Sequence, residues 1–188
     1  MEHQEAHLLL GPRRLRQPAE AVGPEVLRKI VSGGQTGVDR AALRAAMARG
    51  LAVGGWCPPG RAAEDGRIPD VFPLAETPAE RDADAPDIPR SQRTAWNVRD
   101  ADGTLILRPA AGGEPDPGTR WTARCAEHLG KPLLVCDPAS PHDVVRASEW
   151  IRAHRIDTLN VAGPSERTAP GIGAAAERFV RDLIAAMK

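Results

Sequence analysis

The chain has 188 residues, of which 41% are hydrophobic and 27% charged, a balance typical of a globular protein and not of a disordered or fibrous one. Its 25 basic and 25 acidic side chains cancel, which argues against nucleic acid or an anionic membrane surface as a partner. Three widely spaced cysteines and the lack of a long apolar run argue against a disulfide framework and a membrane-spanning helix, so we expect a cytoplasmic protein.

Residues 1–25 come first in chain order; they contain three arginines and show no clear periodicity. We expect them to be an N-terminal extension that is partly disordered or docks on a partner subunit. A ligand-binding domain over residues 26–188 is predicted to follow it.

From residue 27 onward, short apolar runs alternate with helical patterns. The strands are predicted over residues 27–32, 51–55, 104–107, 133–136 and 158–162. The helices are predicted over residues 37–49, 91–100, 119–129, 141–154 and 170–187. This alternation predicts an α/β domain with a mostly parallel sheet and helices on both faces. The loops that follow parallel strands meet at one edge of such a sheet, and ligands bind there, where the strand order reverses.

The first of these loops is a glycine-rich turn over residues 32–40, SGGQTGVDR, which joins the first strand to the first helix. Its glycines let backbone N–H groups approach a ligand without a Cβ clash, and the N-terminus of the helix favours an anion. The spacing matches neither GxGxxG nor a phosphate loop with its lysine, so a tight turn without a ligand is the alternative. The predicted phosphate-binding residues are Gly33, Gly34, Gln35, Thr36, Gly37, Asp39 and Arg40.

The second loop, residues 54–66 (GGWCPPGRAAEDG), follows the second strand. Trp56 is predicted to stack on a flat ring and Arg61 to pair with a phosphate. Glu64 and Asp65 are candidates for acid/base groups or for a hydrogen-bonding lid, and a proline-stiffened surface loop is the alternative. Cys57, the one cysteine in a glycine loop, is the candidate for a reactive thiol.

Two more glycine loops lie between a strand and a helix, at residues 111–120 (AGGEPDPGTR) and 160–173 (NVAGPSERTAPGIG). Both repeat the arrangement of the first turn, so both are predicted to contact the anion. The predicted contacts are Gly112, Gly113, Thr119, Gly163, Pro164, Ser165, Thr168 and Gly171, with Glu166 as a further acid/base candidate.

The helix predicted over residues 91–100 places Thr94, Asn97 and Asp100 on one face, with Trp96 as a core anchor. The histidines form no HxH or HExxH pattern, so no protein-coordinated metal is expected.

Four blocks of the sequence, SGGQTGVDRAAL, GGWCPPGRAAEDGRIP, RTAWNVRDADGTLIL and LNVAGPSERTAPGI, resemble in this order the putative molybdenum carrier family. The resemblance extends over about residues 28–187. It implies a Rossmann-like three-layer fold, related to the lysine-decarboxylase-like phosphoribohydrolases and the DNA-processing protein A group. It also implies a homo-oligomer, a dimer or tetramer, and a glycine turn that binds nucleotides or related phosphates.

The family name implies the molybdenum cofactor, a pterin with a terminal phosphate, as the ligand. We therefore expect a binding or carrier protein for a phosphorylated small molecule, either the molybdenum cofactor or a nucleotide. A further hypothesis is that the protein is a ligand sensor, which reports to a partner protein through residues 1–25.

The main alternative is a nucleotide-processing enzyme, such as a phosphoribohydrolase-like N-glycosidase, with Glu64, Asp65 or Glu166 as its acid/base group. The PGGxGTxxE signature of those hydrolases is missing from the sequence. The nearest string, GGEPDPGTR, is longer between its Gly-Gly and Gly-Thr pairs and lacks the glutamate, which argues against hydrolase activity.

Overall fold

The protein is described by a computed structural model over residues 27–111 and 113–188. The predicted extension over residues 1–25 and the predicted ligand contact Gly112 lie outside these ranges.

Five strands form one parallel sheet: β1 (Lys29–Val31), β2 (Ala52–Gly54), β3 (Gly103–Leu107), β4 (Leu133–Cys136) and β5 (Thr158–Ala162). Five helices accompany them: α1 (Val38–Ala48), α2 (Ser91–Asp100), α3 (Pro117–His128), α4 (Pro141–Ala153) and α5 (Ile172–Ala186). Each element lies within two residues of its predicted bounds. The predicted parallel sheet with helices on both faces, and the Rossmann-like three-layer class, are confirmed.

The strand order across the sheet is β2-β1-β5-β3-β4, so the last strand of the chain lies at the centre. In register, Leu159 of β5 lies opposite Ile30 of β1, and Val161 of β5 lies opposite Leu105 of β3. Counted from β5, this order reads 3-2-1-4-5, which is the doubly wound order with its first strand moved to the end of the chain. The point at which the order reverses therefore lies beside β5, and the loops that leave β5 and its two neighbours begin there.

The larger core lies on the face of the sheet that α1, α4 and α5 cover. Leu105 and Leu107 of β3 point into it, and Phe179 and Leu183 of α5 pack against them between the other two helices. Side chains alternate along a strand, so Thr104 and Ile106 face the opposite layer, where α2 and α3 pack together. Val98, Trp121, Cys125 and Ala126 form the centre of that smaller cluster, together with Ala85.

The segment after β2 folds into a compact unit with its own small core. Trp56–Cys57 pairs in parallel with Ala75–Glu76, and Ala62–Ala63 pairs antiparallel with Gly66–Arg67. Between them lies the 3₁₀ turn Pro59–Arg61. Its apolar side chains pack on Leu43 of α1; these are Cys57, Ile68, Phe72 and Leu74.

Arg61 holds this unit together from the inside. Its guanidinium group is buried and donates to the carbonyl oxygens of Leu74 at 3.0 Å and Phe72 at 2.9 Å, and further to those of Ile68 and Pro69. These bonds use the donors that the sequence interpretation assigned to a phosphate, so Arg61 supports the segment from within.

Gly37, immediately before α1, is the point at which the first turn touches the loop after β5. Its φ is 75°, and a Cβ there would lie 2.6 Å from the Pro164 oxygen and 2.7 Å from the Glu166 nitrogen. Gly50, after the other end of α1, has a φ of 76° and nothing within 4 Å of the same Cβ position.

We expect Gly37→Ala to destabilise the protein far more than Gly50→Ala does. Both changes force alanine to a positive φ, at a cost of at least about 1 kcal/mol. Gly37 also has a ψ of −126°, outside the left-handed helical region, and only its replacement displaces a neighbouring backbone. The loss of unfolding free energy in urea should be greater for Gly37→Ala by at least about 2 kcal/mol. Equal losses for the two variants would contradict the close approach of the two loops.

Candidate functional site

A cavity of about 330 Å³ opens at the carboxyl edge of the sheet, beside the point where the strand order reverses. The loops after β1, β2 and β5 form one side of it, and the N-terminal ends of α2 and α3 form the other. Seven of the predicted site residues line it: Gln35, Asp39, Glu64, Thr119, Gly163, Ser165 and Thr168. Convergence of loops at this edge agrees with the expectation from a parallel sheet.

Several N–H groups of the glycine turn are satisfied within the protein. The Gln35 N–H donates to Asp39 Oδ2 at 3.2 Å, and the Thr36 N–H donates to Gln35 Oε1 at 3.1 Å. The Val38 N–H, the first of α1, donates to the Pro164 oxygen at 3.3 Å. Pro164 thus joins the turn to the loop after β5, and the turn shapes the cavity wall through these bonds.

Arg93 lies directly over Gly33. A Cβ at Gly33 would come within 2.0 Å of the Arg93 Nη1 atom, so a side chain at this position would displace the guanidinium group. Nη1 donates to Asp39 Oδ2 at 3.1 Å. Within the described residues, Arg93 Nε is the one buried side-chain nitrogen or oxygen that has no hydrogen-bond partner. The missing Cβ of Gly33 therefore admits a guanidinium group of the protein itself, which still has a free buried donor.

Asp39, the partner of Arg93, is a buried carboxyl group with only 2% of its surface exposed. Burial raises its pKa, and the opposing effects of the Arg93 charge and of the hydrogen bond from the Gln35 N–H do not cancel that rise. The cavity wall thus contains a carboxyl group that takes up a proton more readily than an ordinary aspartate.

Arg90 supplies a second guanidinium group to the cavity. It precedes α2 with a φ of 59°, a left-handed conformation that few residues other than glycine adopt. Arg90 and Arg93 are one helical turn apart, which brings two positive charges to one wall.

The sequence interpretation missed both arginines as site residues, although both were visible as RSQR at the start of a predicted helix. The predicted site residues lie in loops that follow strands, whereas α2 precedes β3. A helix that leads into a parallel strand begins at the carboxyl edge of the sheet, so this spacing was the signal that would have found them.

Glu64 connects three loops through its carboxylate. The hydroxyl groups of Thr36 and Ser165 donate to it, the latter at 2.8 Å, and so does the Arg167 N–H at 3.2 Å. The Glu64 N–H donates in turn to Gln35 Oε1 at 3.0 Å. Burial acts most strongly on this group and raises its pKa, but the hydrogen bonds from Thr36, Ser165 and Arg167 together outweigh it, and the pKa lies below its usual value.

The other two acid/base candidates lie outside the cavity lining. The Asp65 carboxylate accepts hydrogen bonds from both terminal nitrogens of Arg40, at 2.6 and 2.8 Å. Arg40 Nε donates a further bond to the Gly34 oxygen at 2.9 Å. The Glu166 carboxylate accepts hydrogen bonds from the N–H groups of Gly171 and Gly173, the latter at 3.0 Å. It therefore caps the N-terminal end of α5. Arg40, Asp65, Glu166 and Gly171 therefore stabilise the loops around the site.

Trp56 and Cys57 also lie away from the cavity. The backbone of Trp56 exchanges two 2.9 Å hydrogen bonds with the Asn97 amide, and its indole N–H donates to Asp100 at 2.7 Å. Its ring meets Trp96 edge to face at 4.7 Å. Cys57 is fully buried and burial raises the pKa of its thiol, so the interpretation of Cys57 as the reactive cysteine is wrong.

Gly113 is exposed, and its carbonyl oxygen accepts a bond from Arg108. In the part of the chain that the structure covers, no three His, Cys, Asp or Glu side chains are grouped so that they would hold a metal ion. None of the helices described there has both the length and the apolar character needed to cross a bilayer.

Comparison with known proteins gives two matches. The sequence model of the circularly permutated YpsA SLOG family matches residues 30–184. The chain is also similar to a solved structure, "Putative molybdenum carrier protein" from Syntrophus aciditrophicus SB, with 38% sequence identity and a TM-score of 0.73. That similarity covers 87% of this chain and 96% of the other, and it confirms the resemblance carried by the four sequence blocks. No curated protein matches the chain.

We expect Glu64→Gln to lower the free energy of unfolding by about 2 kcal/mol at neutral pH, since an amide cannot accept from every donor around it. The folded-state pKa of Glu64 lies below its unfolded-state value of about 4.3. Its carboxylate therefore stabilises the fold above that value, and this contribution is lost as the pH falls through the folded-state pKa.

Urea denaturation at several pH values from about 7 down to about 3 measures this effect. The variant should lose less stability on acidification than the wild type loses. Glu177→Gln, at a surface pair with Arg44 (3.0 Å), is the control and should change stability by less than about 0.5 kcal/mol. Parallel pH curves for Glu64→Gln and the wild type would contradict the role given to this carboxylate.

Proposed function

This chain belongs to the circularly permutated YpsA SLOG family, and we propose that it is a binding protein for a phosphorylated small molecule. The ligand occupies the cavity at the carboxyl edge of the sheet, with its phosphate against Arg93 and Arg90. The observation that carries the proposal is the pair of arginines in the cavity lining, of which Arg93 is held by Asp39 and has a buried Nε without a hydrogen-bond partner in the described residues.

The position of Arg93 supports an anionic ligand. Arg93 lines the cavity, and its Nε has no partner among the described residues, which is rare for a buried polar atom, so the hydrogen-bonding capacity of this guanidinium group is not filled by the protein. Guanidinium groups suit phosphate because two of their N–H donors match two of its oxygens. Asp39 and the crowding over Gly33 hold the group in place, so little side-chain freedom is lost on binding.

The helices add to this preference. α2 and α3 both begin at the cavity, and the N-terminal end of a helix carries a partial positive charge and unpaired N–H groups. A volume of about 330 Å³ is within the range of small-molecule sites. Ile88, Pro89 and Ala162 provide apolar surface for the uncharged part of a ligand.

The molybdenum cofactor is the first candidate for this ligand, and a nucleotide is the second. The similar protein from Syntrophus aciditrophicus is named as a molybdenum carrier, and the cofactor bears the terminal phosphate that the two arginines suit. The acid/base candidates of the N-glycosidase alternative, Glu64, Asp65 and Glu166, are each bonded to other parts of the chain, so they support that alternative less than the two arginines support anion binding.

We expect Arg93→Gln to weaken binding of the molybdenum cofactor, or of a nucleoside monophosphate, by at least about tenfold, because a charge-assisted bond to phosphate is lost. Isothermal titration calorimetry with each ligand measures this effect. Arg181→Gln, at an exposed position on α5, is the matched control and should bind as the wild type does. The proposal fails if the wild type gives no heat with either ligand, or if Arg93→Gln binds with unchanged affinity.

A further inference from the structure

The charged residues in the cavity lining do not, taken together, favour an anion. Two arginines line it, Arg90 and Arg93, together with three acidic residues, Asp39, Glu64 and Asp116. With every group ionised, these residues carry three negative charges and two positive ones, and Arg167, outside the lining, offsets the charge of Glu64. A phosphate brought to Arg93 would still meet repulsion from the Asp39 carboxylate at close range in a partly buried site.

The three carboxylates are not equally well compensated. Glu64 accepts bonds from three residues and lies near the Arg167 guanidinium group, at 3.8 Å. Asp116 accepts the N–H and the hydroxyl of Thr119, at 3.1 and 2.6 Å. Asp39 is the most deeply buried of the three, and among the described residues its one ion-pair partner is Arg93.

An anion beside Arg93 would lie close to the Asp39 carboxylate, because Asp39 is already bonded to the Nη1 atom of the same guanidinium group. Asp39 lies on α1, and the charged residues around the cavity come from every neighbouring element: Arg90 and Arg93 from α2, Glu64 from the loop after β2, and Asp116 from the start of α3. The lining residues of the loop after β5 are uncharged, and Arg167 of that loop lies outside the lining at 3.8 Å from Glu64. No histidine is among the described residues of the lining. Asp39 is thus the group whose charge changes most easily.

We propose that the cavity takes up one proton with each anion it binds, and that Asp39 receives this proton or shares it with the anion. The inference rests on the proposed function, since it concerns the same site. A proton between the two groups replaces their repulsion with a short O–H···O hydrogen bond. The raised pKa of Asp39 in the empty cavity lowers the cost of this step.

The consequence is that affinity for anions rises as the pH falls. Where Asp39 is ionised in the free protein, uptake of one proton per anion changes the dissociation constant by about tenfold per pH unit. A phosphomonoester, with its second pKa near 6, can bring the proton itself. Sulfate is fully ionised over the same range, so it isolates the contribution of the protein.

The test is calorimetric titration of the full chain with sulfate and with inorganic phosphate, from about pH 5.5 to about pH 8, in pairs of buffers that differ in ionisation enthalpy. For the wild type we expect uptake of about one proton per sulfate near pH 7.5 and a dissociation constant that rises about tenfold per pH unit there. In Asp39→Asn the proton uptake and the pH dependence for sulfate should both disappear. Glu177→Gln, outside the cavity, should keep the wild-type slope.

The outcomes separate this inference from the function on which it rests. A wild-type affinity for sulfate that does not change with pH overturns it, and so does an unchanged slope in Asp39→Asn. Phosphate binding without sulfate binding at pH 5.5 also overturns it, because a proton taken up by the protein should serve either anion. If neither anion binds at any pH, the proposed function itself fails. If Asp39→Asn does not fold, the number of protons that the wild type takes up per sulfate still tests the inference: about one supports it and none overturns it.

Discussion

The arrangement of the site depends on one carboxylate, that of Glu64. It joins the turn after β1, through Thr36, to the loop after β5, through Ser165 and Arg167, and it belongs itself to the loop after β2. A carboxylate suits this position because its two oxygens accept several bonds at once, while each hydroxyl both donates and accepts. Three loops from different parts of the chain are thereby held in one geometry, and the cavity exists between them and the helices that face them.

The glycines of the first turn act through the protein itself. Gly33 leaves room for the guanidinium group of Arg93, and Gly37 lets the turn meet the backbone of residues 164–166. Burying an aspartate beside that guanidinium group costs desolvation energy, which the ion pair partly offsets. The guanidinium group of Arg93 is therefore fixed in the cavity wall before a ligand binds, and its buried Nε has no hydrogen-bond partner in the described residues. That arrangement links the packing of the turn to the electrostatics of the cavity.

The position of β5 explains why a chain whose described part starts with the second strand of the doubly wound order keeps the binding edge of that fold. The location of such a site follows from the spatial order of the strands and not from where the chain begins. The strand order β2-β1-β5-β3-β4 agrees with the family description as circularly permutated. It also explains why the loop after the last strand lies at the middle of the site, beside the turn after the first.

The sequence by itself determined the elements of the fold, because apolar periodicity reports burial on one or two faces, and glycine and proline mark the turns. It also placed three glycine loops at one edge, since parallel strands allow no other arrangement. Only the tertiary structure decided which side chains face the cavity. In the sequence Arg61 looks like a ligand contact and Glu166 like an acid/base group, yet both bind backbone atoms of nearby loops. Arg93 comes from a helix 60 residues beyond Gly33, and no local pattern encodes the contact between them. Such long-range pairings follow from how the loops pack, and for that reason the sequence predicts the edge where the site lies but not the charge that dominates it.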